Sequence, residues 1–490
     1  MKVHFAGISG SGMAQVARLF RDMGHEVEGC DVRFDPPAGP MLRESGVKLY
    51  EGYAAAHLDG APDLVVVGNV IRADNPVALR AEELGIARTS MSRALRDHCL
   101  GGRRSVVIAG THGKTTTTGW VSWCLYKAGF EPGFFVGGQP LNFERGAVYG
   151  AKSPKLTGAA RPSRTPFVLE GDEYDDVYWS KKPKFLDYVG VHETDVLVLT
   201  SIEYDHVDLY ASEAAYVDAF KQLLAAATPG STVIADASYP LVRQVCADAK
   251  HLNIVYYALF GEDTGEVVAE WQAAPAPAEG ELQPFDVYAG GVLAGRFRTP
   301  LSGKHNIKNA LATLAVGAHG FGIAWDVLRA GLASYEGIKR RQELLGEPAG
   351  VRVYDDFAHH PTAVRLTLDG LRARHPSGKL FAVFEPRSAT ACRALHQQEY
   401  AQAFGAADVV LLAPLGRSNI AENERLNVKK LASDLGGKAT ASEDVDTILG
   451  TLVHEAKPGD TIAILSNGAF AGLHPRLLRE LADVENAAER

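Results

Sequence analysis

Short apolar runs recur along the whole chain, and most are followed by glycine or a polar group and then by apolar positions at helical spacing. Val3-His4-Phe5-Ala6 enters Gly7-Ile8-Ser9-Gly10-Ser11-Gly12-Met13 and a helical pattern over 14–23. Val27 to Asp31 and Leu64-Val65-Val66-Val67 repeat the strand signal, the first ending in an acid and the second delivering Asn69 just past its end. Val106-Val107-Ile108-Ala109 runs into Gly110-Thr111-His112-Gly113-Lys114-Thr115, with a helix predicted from about 116 to 127. Phe167 to Leu169 and Val196 to Thr200 read as buried strands, 264–299 as a small β excursion around Gly290-Gly291, and 310–318 as an alanine-rich helix. Val351–Tyr354, Lys379–Phe384, Asp408–Ala413 and Thr461–Leu465 complete the strands. This alternation predicts an α/β chain of parallel sheets covered by helices.

A chain of 490 residues is too long for one core and predicts roughly three domains. The small, polar stretch HCLGGR at 98–103 reads as a linker, and Gly337-Ile338-Lys339-Arg340-Arg341 follows a helix and precedes a change of sheet. Boundaries are therefore expected at 1–103, 104–338 and 339–490. The run 151–166, rich in proline, basic and small residues, is expected to be a mobile surface loop.

With 50 basic and 59 acidic residues the net charge is −9, without long runs, which argues against nucleic acid or an anionic membrane and for small ligands. Five scattered cysteines with no C-x-x-C indicate neither disulfide framework nor zinc site and fit a reducing compartment. The strand signal begins almost at Met1, and no apolar run approaches the ~20 residues of a membrane span, so a cytoplasmic location is expected. A monomer is the simplest expectation.

The strand-to-helix turn at 110–115 has the chemistry of a phosphate loop: backbone N–H groups at a helix N-terminus, made approachable by Gly110 and Gly113, with Lys114 for terminal phosphates and the Thr115 hydroxyl for Mg²⁺. It is a variant, because the glycine expected five residues before Gly113 is Ile108. Glu170-Gly171-Asp172-Glu173-Tyr174-Asp175 delivers carboxylates at a strand end, as metal ligands or as solvated loop charges. Ser201 to Asp208 repeats the pattern and includes His206. Asn306 offers a donor and an acceptor to an adenine edge, or serves as a helix cap. Arg341 either clamps phosphate across two domains or faces water. In the last domain three strand ends carry polar groups: Asp355 to Thr362, including His359 and His360; Glu385-Pro386-Arg387-Ser388; and Ser466-Asn467-Gly468.

With GTHGKTT, EGDEYD, IEYDH, GKHNIKNA, KRRQE and DDFAHHPTA in this order, the chain resembles the Mur ligase family of peptidoglycan synthesis along its whole length. GISGSGM and DDFAHHPT resemble the branch that joins an amino group to UDP-N-acetylmuramate. FEPRSAT, SNGAFAG and GFFVGGQPLNFE are similar to the recycling branch, which attaches the intact tripeptide L-alanyl-γ-D-glutamyl-meso-diaminopimelate. The alanine-adding branch is the near neighbour, but it typically carries glutamate where this chain has Ala363. The resemblance implies a Rossmann-like N-terminal domain for the UDP-sugar, a central P-loop ATPase domain and a Rossmann-like C-terminal domain for the peptide. It implies ATP and Mg²⁺ as cofactors. Gly110, Thr111, Gly113, Lys114, Thr115 and Thr116 would hold phosphate, Thr115 and Glu170 one Mg²⁺, and Glu170 with His206 a second. His305 and Asn306 would face adenine, Arg341 phosphate and Asp355 ribose. Gly7, Gly10, Gly12, Asp31 and Asn69 would surround the uridine end; His359, His360, Arg387 and Ser466 would meet substrate. Some relatives carry a carbamylated lysine as a metal ligand, and Lys221, fifteen residues after His206, has a compatible spacing; the branch resembled here does not generally use it, and a solvated helical lysine is the plainer reading.

Two other classes compete. An oxidoreductase would use the N-terminal βα turn and Asp31 for a dinucleotide, although the glycines there run G-x-x-G-x-G and not G-x-G-x-x-G. A nucleotide-dependent switch without ligation has the 151–166 loop as its only hint.

Overall fold

The computed structural model describes residues 1–151, 164–191, 195–417 and 419–488, so most of the loop expected at 151–166 lies outside the described residues. Three sheets organise it. The first is five-stranded and parallel, in the order Lys48–Glu51, Glu26–Asp31, Lys2–Ala6, Leu64–Val67, Ala87–Ser90. The second has ten strands. Its parallel centre runs Trp271–Pro275, Asn253–Leu259, Thr232–Asp236, Val196–Leu199, Arg104–Ala109, Pro166–Glu170, Gly133–Phe135. The third has six strands, parallel except for its first pair: Glu343–Gly346, Arg352–Asp356, Thr461–Leu465, Leu380–Phe384, Val409–Leu412, Ala439–Ala441.

The apolar runs are continuous because helices cover both faces of these sheets: Val106, Val107, Ile108 and Val196 to Leu199 are wholly buried. The expected β excursion differs in kind. Strands Gln283–Ala289 and Val292–Thr299 add antiparallel to the edge of the ten-stranded sheet, burying Phe285 and Phe297 while Arg296 and Arg298 face out. That one-sided burial is why only this region alternates. The expected linker at 98–103 also differs. Helix Met91–Cys99 runs into it, Cys99, Leu100 and Arg103 are buried, and Arg103 Nη1 donates to the Tyr149 carbonyl, so the joint is packed. Helix Lys304–Ala315 starts at Lys304, six residues before the predicted start, and places Asn306 inside its first turn instead of at its cap.

The topology positions the site. Strands Arg104–Ala109 and Val196–Leu199 are parallel neighbours with Ala109 opposite Leu199, so the segments leaving their C-terminal ends lie side by side. The third domain closes over them: Thr390 Oγ1 donates to Asp205 Oδ1 at 2.6 Å and Arg374 Nη1 to the Pro300 carbonyl at 3.1 Å. Among the described residues, no helix is long and apolar enough to cross a membrane.

Helix Lys114–Lys127 carries Gly119 in its interior, where alanine would ordinarily gain about 1 kcal/mol. Here a Cβ would lie 2.3 Å from Tyr335 Oη and 2.7 Å from Ile338 Cδ1, both buried. Gly119→Ala is therefore expected to lower stability by about 1–3 kcal/mol, read as a fall in the urea midpoint; an unchanged or higher midpoint would contradict this packing.

Candidate functional site

The turn after strand Arg104–Ala109 is fixed by its neighbours. Gly110 has φ 129°, and a Cβ there would lie 2.3 Å from Thr200 Oγ1; at Gly113, φ 80°, it would lie 2.4 Å from Asn309 Oδ1. Thr111 N donates to the Ser201 carbonyl at 3.0 Å and His112 N to Ser201 Oγ at 2.8 Å. The first amides of helix Lys114–Lys127 have no intrahelical partner by geometry and border the cavity together with Gly113, Lys114, Thr115 and Thr116. That arrangement suits an anion.

The acidic strand end supplies three carboxylates to the same place, Glu173 buried and Glu170 and Asp172 partly exposed. Glu170 accepts from Thr115 Oγ1 at 2.8 Å and from Gly137 N at 2.6 Å, and its burial raises its pKa. Asp172 accepts from Lys184 Nζ at 2.6 Å; burial opposes its charge, but Lys184 overcomes that and holds it at about 2. Lys114 Nζ donates to the Gly110 carbonyl at 2.6 Å and to Glu173 Oε1 at 2.8 Å. His206 departs from expectation. Its Nε2 lies 3.1 Å from Glu173 Oε1, so its carboxylate partner is Glu173 and not Glu170. Burial disfavours its charged form, yet the Glu173 hydrogen bond leaves its pKa raised. Glu173 Oε2 is buried without a hydrogen-bond partner, as is fitting for an atom awaiting a cation.

Across the cavity, Asn306 Nδ2 donates to the Ser302 carbonyl at 2.8 Å and its oxygen accepts from Asn309 Nδ2 at 3.2 Å. His305 also lines this wall, with Nδ1 buried and unpartnered and its pKa lowered by burial to about 4. Arg341 lines the cavity, its guanidinium 5.0 Å from the Phe357 ring centre. Asp355 does not. It accepts from Arg340 Nε at 3.1 Å and lies 3.2 Å from His474, because adjacent strand residues face opposite ways. Asp356 lines the cavity instead, holding Gln342 N at 2.8 Å and Ala358 N at 2.8 Å. Glu173, Asn309 and Asp356 were missed as site residues, although each lies within a few residues of a chosen one and the spacing to Asn306 is one helical turn.

At the seam with the third domain stand His359 and His360, both lining the cavity as expected. His359 Nε2 is 3.8 Å from Asp205 Oδ2, and burial lowers its pKa. His112 Nε2 is 2.6 Å from Glu203 Oε2; burial penalises that carboxylate, but the histidine wins and draws its pKa down to about 2. Burial lowers His360 to about 3.

The remaining expected residues lie away from this cavity. Gly7, with φ 81°, donates its N–H to the Cys30 carbonyl at 2.9 Å, and Asp31 Oδ2 accepts from Ser9 N at 2.7 Å, so Asp31 braces the turn. A Cβ on Gly10 would meet nothing closer than 3.6 Å, and Asn69 is exposed. Gly12 is a packing residue: a Cβ there would lie 3.1 Å from Met91 Sδ and 3.4 Å from Phe135. Ser466 is fully buried, donating to Glu385 and accepting from Gly468 N at 2.9 Å, and offers no surface to a peptide. Arg387 is exposed and packs over Gly416 and Gly468. Lys221 pairs with Asp248 at 3.2 Å on the surface and does not line the cavity, in keeping with the plainer reading.

Three family models match in succession: "Mur ligase family, catalytic domain" over 2–102, "Mur ligase middle domain" over 179–317 and "Mur ligase, glutamate ligase domain" over 340–468. The chain is 35% identical over its full length, and that of its relative, to the UDP-N-acetylmuramate–L-alanyl-γ-D-glutamyl-meso-2,6-diaminoheptandioate ligase of Escherichia coli K12. It is 31% identical to the UDP-N-acetylmuramate–L-alanine ligase of Roseiflexus sp. RS-1, covering 96% of both chains. Its fold matches the crystal structure of a murein peptide ligase from Psychrobacter arcticus with a TM-score of 0.70 and 32% identity, over 99% of each chain.

The shifts at the seam have one consequence for stability. Glu203, lowered from 4.5 to about 2, contributes fully above pH 4.5 and loses that share as pH falls toward 2; His360, lowered from 6.5 to about 3, contributes above pH 6.5 and loses its share over the pH range below. Between pH 7 and pH 4 the urea midpoint of His360→Gln should therefore fall less, or rise more, than that of the wild-type chain. The same pH dependence in both proteins would contradict the His360 assignment.

Proposed function

Because this chain belongs to the Mur ligase family and is closely related within it to the murein peptide ligases, we propose that the cavity between its second and third domains is where ATP, a sugar acid and a peptide amine meet. The protein is an ATP-dependent ligase that attaches a peptide to UDP-N-acetylmuramate, the reaction of the tripeptide ligases it resembles. The observation that carries the reading is one cavity wall built from the 111–116 turn, Glu170, Asn306 and Arg341, faced by His359 and His360 from the next domain. We assign 1–103 to the UDP-sugar, 104–338 to ATP through a P-loop and 339–490 to the tripeptide, with Rossmann-like terminal domains. The turn around Gly7, Gly10, Asp31 and Asn69 is the candidate for the uridine end, and exposed Arg387 for a peptide carboxylate.

The chemistry joins anions. The lactyl carboxylate attacks the γ-phosphoryl group, and the resulting acyl phosphate is taken by the L-alanyl amine. Two unit charges at ~4 Å repel by about 4 kcal/mol at an effective dielectric near 20, so cations must offset the approach. Lys114 sits at the mouth of the turn, held by Gly110 and Glu173, and moves to phosphate oxygens at the cost of that contact. Arg341 adds charge from the seam, while the amides of 113–116 orient phosphate without needing to reorganise. Thr115 and Glu170 fit one Mg²⁺, and Glu173 with His206 fits a second better than Glu170 with His206, since Glu173 Oε2 has no other partner. Bound Mg²⁺ would neutralise the phosphates. Asn306 lines the wall assigned to adenine, Asn309 braces it and lies against Gly113, and Asp356 takes the ribose position proposed for Asp355.

The acceptor is the intact tripeptide and not free L-alanine. Ala363 lines the cavity in the first turn of helix Pro361–Arg374, and its small side chain leaves room where the alanine-adding branch typically carries glutamate. ADP release with each acceptor tests this directly: the tripeptide should support turnover and L-alanine should not, and the reverse would reassign the enzyme. Ala363→Glu should lower kcat/KM for the tripeptide more than tenfold, about 1.4 kcal/mol. Lys114→Ala alone leaves buried Glu173 with His206 and the Tyr216 hydroxyl, and should cost about 1–3 kcal/mol of stability. The double variant Lys114→Ala, Glu173→Gln should fold and release no ADP; substantial turnover would remove Lys114 from the mechanism.

A further inference from the structure

Among the described residues, a further group of side chains away from Glu170 and Glu173 has metal-ligand chemistry. One nitrogen each of His112 and His360 and one oxygen of Glu203 lie within 4.8 Å of one another. His112 Nε2 is 2.6 Å from Glu203 Oε2, and His360 Nδ1 is 3.9 Å from the same oxygen. Three separate elements deliver them: the turn after strand Arg104–Ala109, the segment after strand Val196–Leu199, and the residue preceding helix Pro361–Arg374. The group therefore spans two domains.

An ordinary ion pair accounts for His112 and Glu203. It does not account for His360, whose side chain is 7% exposed and whose Nε2 is buried without a partner. Its Nδ1 has only a 3.3 Å contact from Thr362 N. His396 packs edge-on against this ring at 4.8 Å, and its own Nε2 is also buried and unpartnered. Two packed imidazoles that each bury a nitrogen without a partner are costly in the absence of a ligand.

We propose that His112, Glu203 and His360 form a site for one divalent transition metal of the zinc class, bound across the seam between the second and third domains. Two imidazoles and one carboxylate suit Zn²⁺ or Co²⁺, whereas Mg²⁺ and Ca²⁺ prefer oxygen shells. Bonds of about 2.0–2.2 Å in a tetrahedral shell place donor atoms roughly 3.3 Å apart. The observed separations of 2.6 and 3.9 Å bracket that value, so small side-chain movements close the shell. His360 enters either through Nδ1, giving up the long Thr362 contact, or through Nε2 after the ring turns over. Three protein ligands leave a fourth position open. His112 lies between Gly110 and Lys114, so an occupied site ties the third domain to the phosphate-facing turn and holds the cavity closed.

The test uses the full chain, stripped with a chelator and titrated with Co²⁺ under saturating Mg²⁺ and without substrates, so its outcome is independent of the ligase reading. Expected is one equivalent with the visible d–d absorption of a low-coordinate nitrogen-oxygen site, displaced by Zn²⁺. Glu203→Gln or His112→Gln should weaken binding by on the order of 100-fold, since loss of an outer-shell partner alone costs roughly 10–100-fold. Glu170→Gln should leave it intact. Small-angle scattering should show a metal-induced fall in radius of gyration that His360→Gln abolishes. Far-UV circular dichroism identifies any variant that fails to fold, and the remaining two ligands then carry the test. Absence of one-equivalent binding to the wild-type chain overturns the proposal, as does binding lost in Glu170→Gln but kept in folded Glu203→Gln.

Discussion

Glu170, Asp172 and Glu173 leave a single strand end within four residues; Glu173 is wholly buried and Glu170 half-buried, while Asp172 keeps 37% of its side chain exposed. Carboxylates packed that closely repel one another, and in a dry setting each needs its own cation or donor. The chain meets the need residue by residue: Lys184 for Asp172, Lys114 and His206 for Glu173, Thr115 and the Gly137 amide for Glu170. Much of the surrounding architecture serves this arrangement. Lys114 is held where it is by the sharp turn at Gly110, and the turn is held by the adjacent parallel strand through Ser201. Phosphate entering here meets a lysine already charged and a carboxylate with one oxygen unused.

The apolar runs made the three-sheet plan legible, because strands covered on both faces must be apolar throughout. The 110–116 turn was legible for a similar reason: glycine at left-handed positions, then lysine and threonine, is a pattern with few other uses. What stayed hidden depends on direction, not identity. Asp355 and Asp356 are equal as letters, and only the pairing of Arg352–Asp356 with its neighbours decides which faces the cavity. Glu173 was visible in EGDEYD, but its role as the partner of His206 requires the segment after Val196–Leu199 to fold back beside it. Ser466 looked like a strand-end ligand, and its burial accompanies a contact with Glu385, just past the end of the neighbouring strand and 81 residues away. Gly12 sat in a glycine-rich turn, yet what excludes a side chain there is Met91 and Phe135 from elsewhere in the chain.

The seam between the second and third domains concentrates histidines for a physical reason. Burial favours the neutral imidazole unless a carboxylate partner prevails, so His359 and His360 can enter a crowded interface beside Asp205 and Glu203 without adding the desolvation cost of a fixed charge. Arg340 does the opposite task nearby, where its fixed charge satisfies Asp355 and the carbonyls of Ser466 and Gly468. It thereby ties the connecting segment to the third sheet before that sheet reaches the cavity.

The joint after helix Met91–Cys99 is solid, with Arg103 buried against Tyr149, and Gly12 seats the first helix on Phe135. Turning the first lobe against the second would therefore break buried packing at both points, whereas the third meets the second through side-chain hydrogen bonds such as Thr390 to Asp205. Closure confined to that seam has a single rotational coordinate to freeze, and its entropy is that of one pendulum and not of a linked pair.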